Sequence, residues 1–194
     1  MKLSGTVKDK KGNALNDVVV EVKDTAFQTL YSGQSDGSGS FSMELPGGRY
    51  PFVTAVKEYG ETYLEYWCHN IDLTADKALD ITIDKLELYG LHAFAIKGAH
   101  NGLMVYFRPM SLKKFQKGEK DICPDIKGMT VCVDGRETKI LLQNQVLEYG
   151  GDMVMRAFLL HVDNPNGDGR WEKLDVTICD EGDNWGAASV YNCN

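Results

Sequence analysis

Apolar and polar residues alternate in short runs through most of the chain, with breaks rich in Gly, Asn and Asp between them. That is the period-two pattern of strands with one face on a core. Val18 to Val22 is almost continuously apolar, and Phe27 to Tyr31 is long enough for a further short strand. Phe41, Met43 and Leu45 alternate with polar residues, and Tyr50, Phe52, Thr54 and Val56 begin the next run. From Tyr63 to Leu73 the alternation sets Tyr63, Glu65, Trp67 and His69 on one face and Leu64, Tyr66 and Cys68 on the other. Ala78 to Leu88 opposes Leu79, Ile81 and Ile83 to Asp80, Thr82 and Asp84, and reads as one closing strand. Further runs are Leu91 to Lys97, Leu103 to Arg108, Met129 to Val133, Lys139 to Leu142, Val154 to Val162, Leu174 to Cys179 and Ala187 to Tyr191. Turn signals separate them at residues 98–102, 134–135, 150–152 and 164–167. Met110 to Asp121 fits a helical turn or a long loop.

This many short strands at regular spacing predict an all-β chain of two tandem β-sandwiches, residues 1–87 and 88–194, with no Pro/Ser-rich linker and little slack between them. The turn chemistry of the first half is more specific. Gly5, Val7, Asp9, Gly12, Leu15, Val18 and Val20 form one block. Asp36, Gly39 and Phe41 form a second, and Leu45, Pro46, Gly48 and Tyr50 a third. In this order the blocks resemble the carboxypeptidase regulatory-like domain, a small sandwich of the transthyretin (prealbumin-like) type. The resemblance implies a non-catalytic accessory module over about the first 85 residues. More weakly, the closing hairpin of the second half is similar to that of bacterial immunoglobulin-like modules, which carry Asp-x-x-Gly-Asn at the turn. Here Asp183 separates Gly182 from Asn184.

Net charge is −7, and basic residues are scattered apart from Lys113, Lys114 and Lys117, which argues against a nucleic-acid partner. No apolar run reaches the roughly 20 residues of a membrane-spanning helix. Met1 leads directly into the first strand, so the expectation is that this stretch carries no signal peptide, whether natively or because the sequence begins after one. Five cysteines without a close pair suggest mostly reduced thiols, as in the cytoplasm, whereas the family analogy points to secretion or the cell surface.

The sequence carries no recognisable catalytic constellation. None of His69, His92, His100 and His161 has Glu three residues later, as the zinc carboxypeptidases require, and no phosphate-binding or nucleophile-elbow motif occurs. Cys68 and His69 are adjacent, so on a strand they face opposite ways. Asn164, Asn166 and Asp168, with Gly169 next and Asp175 at position twelve, resemble a calcium loop of the EF-hand type. Asn at position one and Asp at position twelve favour instead a hairpin turn without metal, so the expectation is no cofactor.

Trp171 and Trp185 lie beside turns, and Trp67 shares a strand face with Tyr63 and His69. An aromatic ring flanked by Asp168, Asp180, Asp183 and Asn184 is a means of holding a sugar, because the ring stacks on C–H faces while polar groups take hydroxyls. The competing reading places these rings in the sandwich cores. The functional expectation is therefore a non-catalytic bacterial binding or scaffolding module, associated with carbohydrate or with another protein. The alternatives are an accessory fragment of an enzyme whose catalytic domain is absent, and a structural protein that forms homodimers.

Overall fold

The computed structural model describes residues 1–98, 101–151, 153–167 and 170–193. The first half runs β1 (Lys2–Lys8), β2 (Val19–Lys23), β3 (Thr29–Gln34), β4 (Ser40–Glu44), β5 (Arg49–Val56), β6 (Tyr66–Asp72), β7 (Lys77–Ala78) and β8 (Ile81–Thr82). The second runs β9 (Leu86–Ala95), β10 (Gly102–Ser111), helix α1 (Leu112–Gln116), β11 (Ile126–Val133), β12 (Arg136–Thr138), β13 (Ile140–Gly150), β14 (Met153–Asp163), β15 (Lys173–Asp180) and β16 (Trp185–Tyr191).

The chain forms two β-sandwiches in tandem, each with its own core. In the first, β4-β1-β7 with β8 covers the sheet half β6-β5-β2-β3. Leu3, Val7, Val20, Val53, Cys68, Ile71 and Ile81 fill the space between them. In the second, β13-β14-β10-β9 covers β12-β11-β15-β16 over Phe107, Phe158, Val131, Val176 and Trp171.

The two covered halves are one sheet. β16 pairs in parallel with β6, Ala188 opposite Trp67 and Val190 opposite His69, so β12-β11-β15-β16-β6-β5-β2-β3 is continuous through both sandwiches. Ala188, Val190 and Trp67 belong to the second core, while Cys68, paired with Ser189, belongs to the first. Paired residues share a face of a sheet, so the two covering sheets lie on opposite faces of the shared one. Across the joint Tyr66 donates its hydroxyl hydrogen bond to Ser189 Oγ at 2.7 Å, and Ser189 donates to Asp175.

Several expected elements differ in extent; β13, expected over Lys139 to Leu142, runs on to Gly150. Phe27 lies in a turn with φ +60°, stacked on Phe52 at 4.7 Å, and the strand begins only at Thr29. The run from Ala78 to Leu88 is not one strand: β7 and β8 are two-residue pieces parallel to β1, and Leu86 opens β9. The break has a cause at Asp80, whose carboxylate accepts the backbone N–H and the hydroxyl of Thr6 at 3.0 and 2.8 Å, where a strand would offer a carbonyl. Tyr63 precedes β6 and packs against the first core, away from Trp67. Beyond these, Asn70 at φ +57° resets the alternation of β6, so Cys68 and Ile71 both enter the first core.

Candidate functional site

The residues singled out from the sequence fall in three separate places. At the turn joining β15 to β16, Asp180 is buried and its Oδ1 accepts the backbone N–H groups of Gly182 and Asn184 at 2.8 and 2.9 Å. The Asn184 side-chain amide donates to the same carboxylate at 3.1 and 3.0 Å. Asp180 thus closes the turn as an Asx cap, a role its spacing to Asn184 allows. Asp183 holds the left-handed corner at φ +55° and pairs with Lys127 at 2.9 Å, which keeps its carboxyl below the usual range. The turn is tied to the first sandwich: Trp185 N–H donates to the buried Asp84 at 2.9 Å, and Lys10 reaches both Asp84 and the Asp183 carbonyl. The Trp185 ring stays 40% exposed and walls a groove of about 350 Å³ between the sandwiches, with Lys8, Lys10, Thr82 and Thr177 around it.

Trp171 stands at the other end of the same hairpin, just before β15, where Lys173 pairs with Tyr191, whereas Trp185 pairs with Cys179. A run of that length separates the two rings by roughly 20 Å at about 3.4 Å per residue, so they do not form one platform. Trp171 is 7% exposed and part of the second core. Its edge lines a larger groove, about 700 Å³, with Asp134, Arg136, Asn166, Arg170 and Glu172. Asp134 organises that end by accepting the backbone N–H groups of Glu172 and Lys173 at 2.9 and 2.8 Å and the Asn166 amide at 2.6 Å.

Of the calcium-loop residues, Asp168 and Gly169 lie outside the described residues. Asn164 is buried and its Oδ1 accepts the N–H of Asn166 at 3.1 Å, and Asn166 Oδ1 accepts from Arg136. Asp175 sits in mid-strand on β15, bonded by Ser189 and paired with Lys173 at 2.9 Å. The two amide oxygens and the twelfth-position carboxylate are therefore engaged within the protein. Among the described residues no group of three or more His, Cys, Asp or Glu side chains is placed to hold a metal.

Trp67, the third ring, is 7% exposed and sits at the joint. Phe52 and Tyr89 meet it edge-on at 6.1 and 5.6 Å, and His69 stacks on it at 6.1 Å. Its indole N–H donates to Glu87 at 2.9 Å. Glu87 is only 2% exposed, and burial pushes its carboxyl up to about 7, although Trp67, the Glu65 N–H and Tyr59 all donate to it. No sequence signal marks this cluster, because Glu87 alternates with Leu86 and Leu88 as a solvent-facing acid would. Burial likewise pushes the His69 imidazole down to about 4, with His92 adding to the effect. Cys68 lies in the other core, so the two adjacent residues face apart. Burial pushes its thiol up to about 12, far from a nucleophile's range.

Residues 2–85 match the carboxypeptidase regulatory-like domain. Over the matched residues the motif positions shape turns and close approaches. Asp9 and Asp36 each accept two backbone N–H groups of their own turns. Gly39 takes φ +76°, and a Cβ there would come within 2.6 Å of the Val7 carbonyl. A Cβ on Gly5 would overlap the carbonyl of Leu79, the point where β7 and β8 part.

Solved structures align over nearly the whole chain at low similarity. A DUF3823 family protein from Bacteroides ovatus is 9% identical, covering 98% of both chains with a TM-score of 0.33. One from Parabacteroides merdae is 15% identical over 98% of this chain and 96% of its own, TM-score 0.34. BcpA, the major pilin subunit of Bacillus cereus, is 11% identical over 97% of this chain and 67% of its own, TM-score 0.33. A search of curated proteins finds no match.

Proposed function

We propose that the chain is a non-catalytic binding and scaffolding module that holds two sandwiches in one fixed orientation. The observation that carries this reading is the continuous eight-stranded sheet, which replaces a linker by main-chain hydrogen bonds between β16 and β6. The match of residues 2–85 to the carboxypeptidase regulatory-like domain supports it, because the motif residues Gly5, Asp9, Asp36 and Gly39 shape the backbone. Scanning calorimetry of the full chain tests it: one cooperative transition is expected, and two separated transitions would remove the fixed orientation.

A second reading, carbohydrate binding, rests on Trp185, the exposed ring of the three, in a groove with Thr82 and Thr177. A stacked ring contributes on the order of 1 kcal/mol, so Trp185→Ala should weaken a glycan found on an array several-fold at unchanged melting temperature. An array without any ligand, or a ligand indifferent to this substitution, ends the sugar reading at this groove.

A further inference from the structure

β13 is the edge of the sheet β13-β14-β10-β9, bonded to β14 along one side. Its pairing slips once, between Ile140 and Leu142, and is regular from Leu142 to Gly150. Among the described residues no strand pairs with its other side, so nine regular residues offer an open edge about 30 Å long. Edge strands are commonly guarded by lysines, prolines or shortness, and β13 has none of these. Its sole charge, Glu148, pairs with Arg108 at 2.9 Å and accepts the Tyr106 hydroxyl at 2.7 Å, both from its own sheet, and its carboxylate stays partly exposed. The strand and its hairpin partner also leave large apolar side chains in water: Leu142 is 60% exposed, Leu147 74%, Tyr149 84% and Val154 47%. Tyr149 pairs across the hairpin with Val154, giving a contiguous apolar patch beside the open edge.

We propose that this edge pairs with the same edge of a second copy, antiparallel about a two-fold axis at Val146, joining two four-stranded sheets into one of eight. The choice of occupant comes from self-complementarity. A two-fold axis at the midpoint of the regular segment sets residues whose numbers sum to 292 opposite each other. Glu148 then faces Asn144, whose amide donates to a carboxylate. Tyr149 faces Gln143, Leu147 faces Gln145, and Val146 faces itself. No like charges meet, although the chain as a whole carries −7. The pairing does not depend on the scaffolding reading, since a fixed two-sandwich body is equally available as a monomer or as a dimer.

Sedimentation velocity across a concentration series reads the outcome. The wild-type chain should sediment at twice its 21.6 kDa, dissociating on dilution. Asn144 is exposed. Asn144→Glu, which opposes carboxylates twice per dimer, should weaken the dimer several-fold, and Asn144→Lys should tighten it. Gln143→Lys adds the same charge on the other face of the strand, away from Glu148, and should not tighten it. Hydrogen exchange on the wild-type protein supplies a reading free of any folding defect: protection of amides 142–150 should fall as the protein is diluted. A chain that stays monomeric at every concentration overturns the proposal, including one that instead floats with phosphatidylcholine vesicles. So does a dimer whose exchange protection lies elsewhere, and equal tightening by Gln143→Lys and Asn144→Lys overturns the register.

Discussion

Trp171 packs among Leu174, Val176 and Phe158 in the second core, while Trp185 leaves much of its ring in a groove. Removing a buried indole leaves a cavity, so Trp171→Ala should cost about 3 kcal/mol or more, against about 1 kcal/mol or less for Trp185→Ala. Thermal melts of the two variants check the ordering. Glu87 sets a pH dependence of its own. Its folded-state value, about 7, lies above that of an exposed carboxyl. Between roughly 4.5 and 7 the folded state therefore binds more protons than the unfolded one, and stability contributed at this site falls as pH rises through that window. His69 acts in the opposite sense: its folded value near 4 means that stability is lost as pH falls below about 6.5. The two slopes overlap, so the difference between wild type and a variant isolates Glu87. Glu87→Gln keeps an acceptor for Trp67 and removes the buried charge. It should leave the melting temperature unchanged near pH 4 and raise it near pH 8, by an amount equivalent to about 1–3 kcal/mol. A variant equally or less stable at pH 8 would show that the carboxylate is accommodated as an anion. Thiols follow burial in the same way: Cys193 is exposed and should react in the native protein, and Cys68 only after unfolding.

Elements are shaped by a few backbone positions. β1 lies between β4, antiparallel to it, and the broken pair β7 and β8, parallel to it. Gly5 sits where the break passes closest, so even Gly5→Ala drives a Cβ into the Leu79 carbonyl. Gly5→Val should destabilise by more than about 3 kcal/mol, read as a lowered denaturation midpoint at unchanged slope. At the far end of the same sheet, Pro46 stops the chain after β4, and its carbonyl accepts the Tyr50 hydroxyl at 2.9 Å. Pro46→Ala leaves that bond available and loosens the turn in the unfolded state, for a cost nearer 1 kcal/mol. The long β13–β14 hairpin is the element least apparent from pattern. Gln143, Asn144 and Gln145 interrupt its alternation, because an edge strand needs no continuous apolar face.

At the scale of the whole molecule the joint carries the consequences. Tyr66, Ser189 and Asp175 are linked by hydrogen bonds across β6, β16 and β15, so Tyr66→Phe and Ser189→Ala remove parts of one network. Their effects on stability should be non-additive, with a coupling of about 0.5 kcal/mol or more in a double-mutant cycle. Additive losses would show that the two residues act separately. Both belong to the shared sheet, so either substitution should move the single calorimetric transition as a whole, without splitting it.

The sequence by itself determined the β class, the two tandem sandwiches and the regulatory-like signature over the first half. Those features are local: alternation decides which side chains face a core, and turns at Asp9, Asp36, Gly39 and Pro46 depend on residues within a few positions. The stretch after Met110 fitted a helical turn or a long loop, and the structure forms the helical turn with Ser111 as its cap. Only the tertiary structure decided that β6 and β16, more than a hundred residues apart, pair in parallel and fuse the sandwiches. Main-chain hydrogen bonds between distant strands leave no mark in side-chain pattern. The same limit governs the candidate site. Three tryptophans beside polar residues look alike in sequence, yet packing buries Trp67 and Trp171 and exposes Trp185, because solvent access depends on which distant strands arrive over each ring.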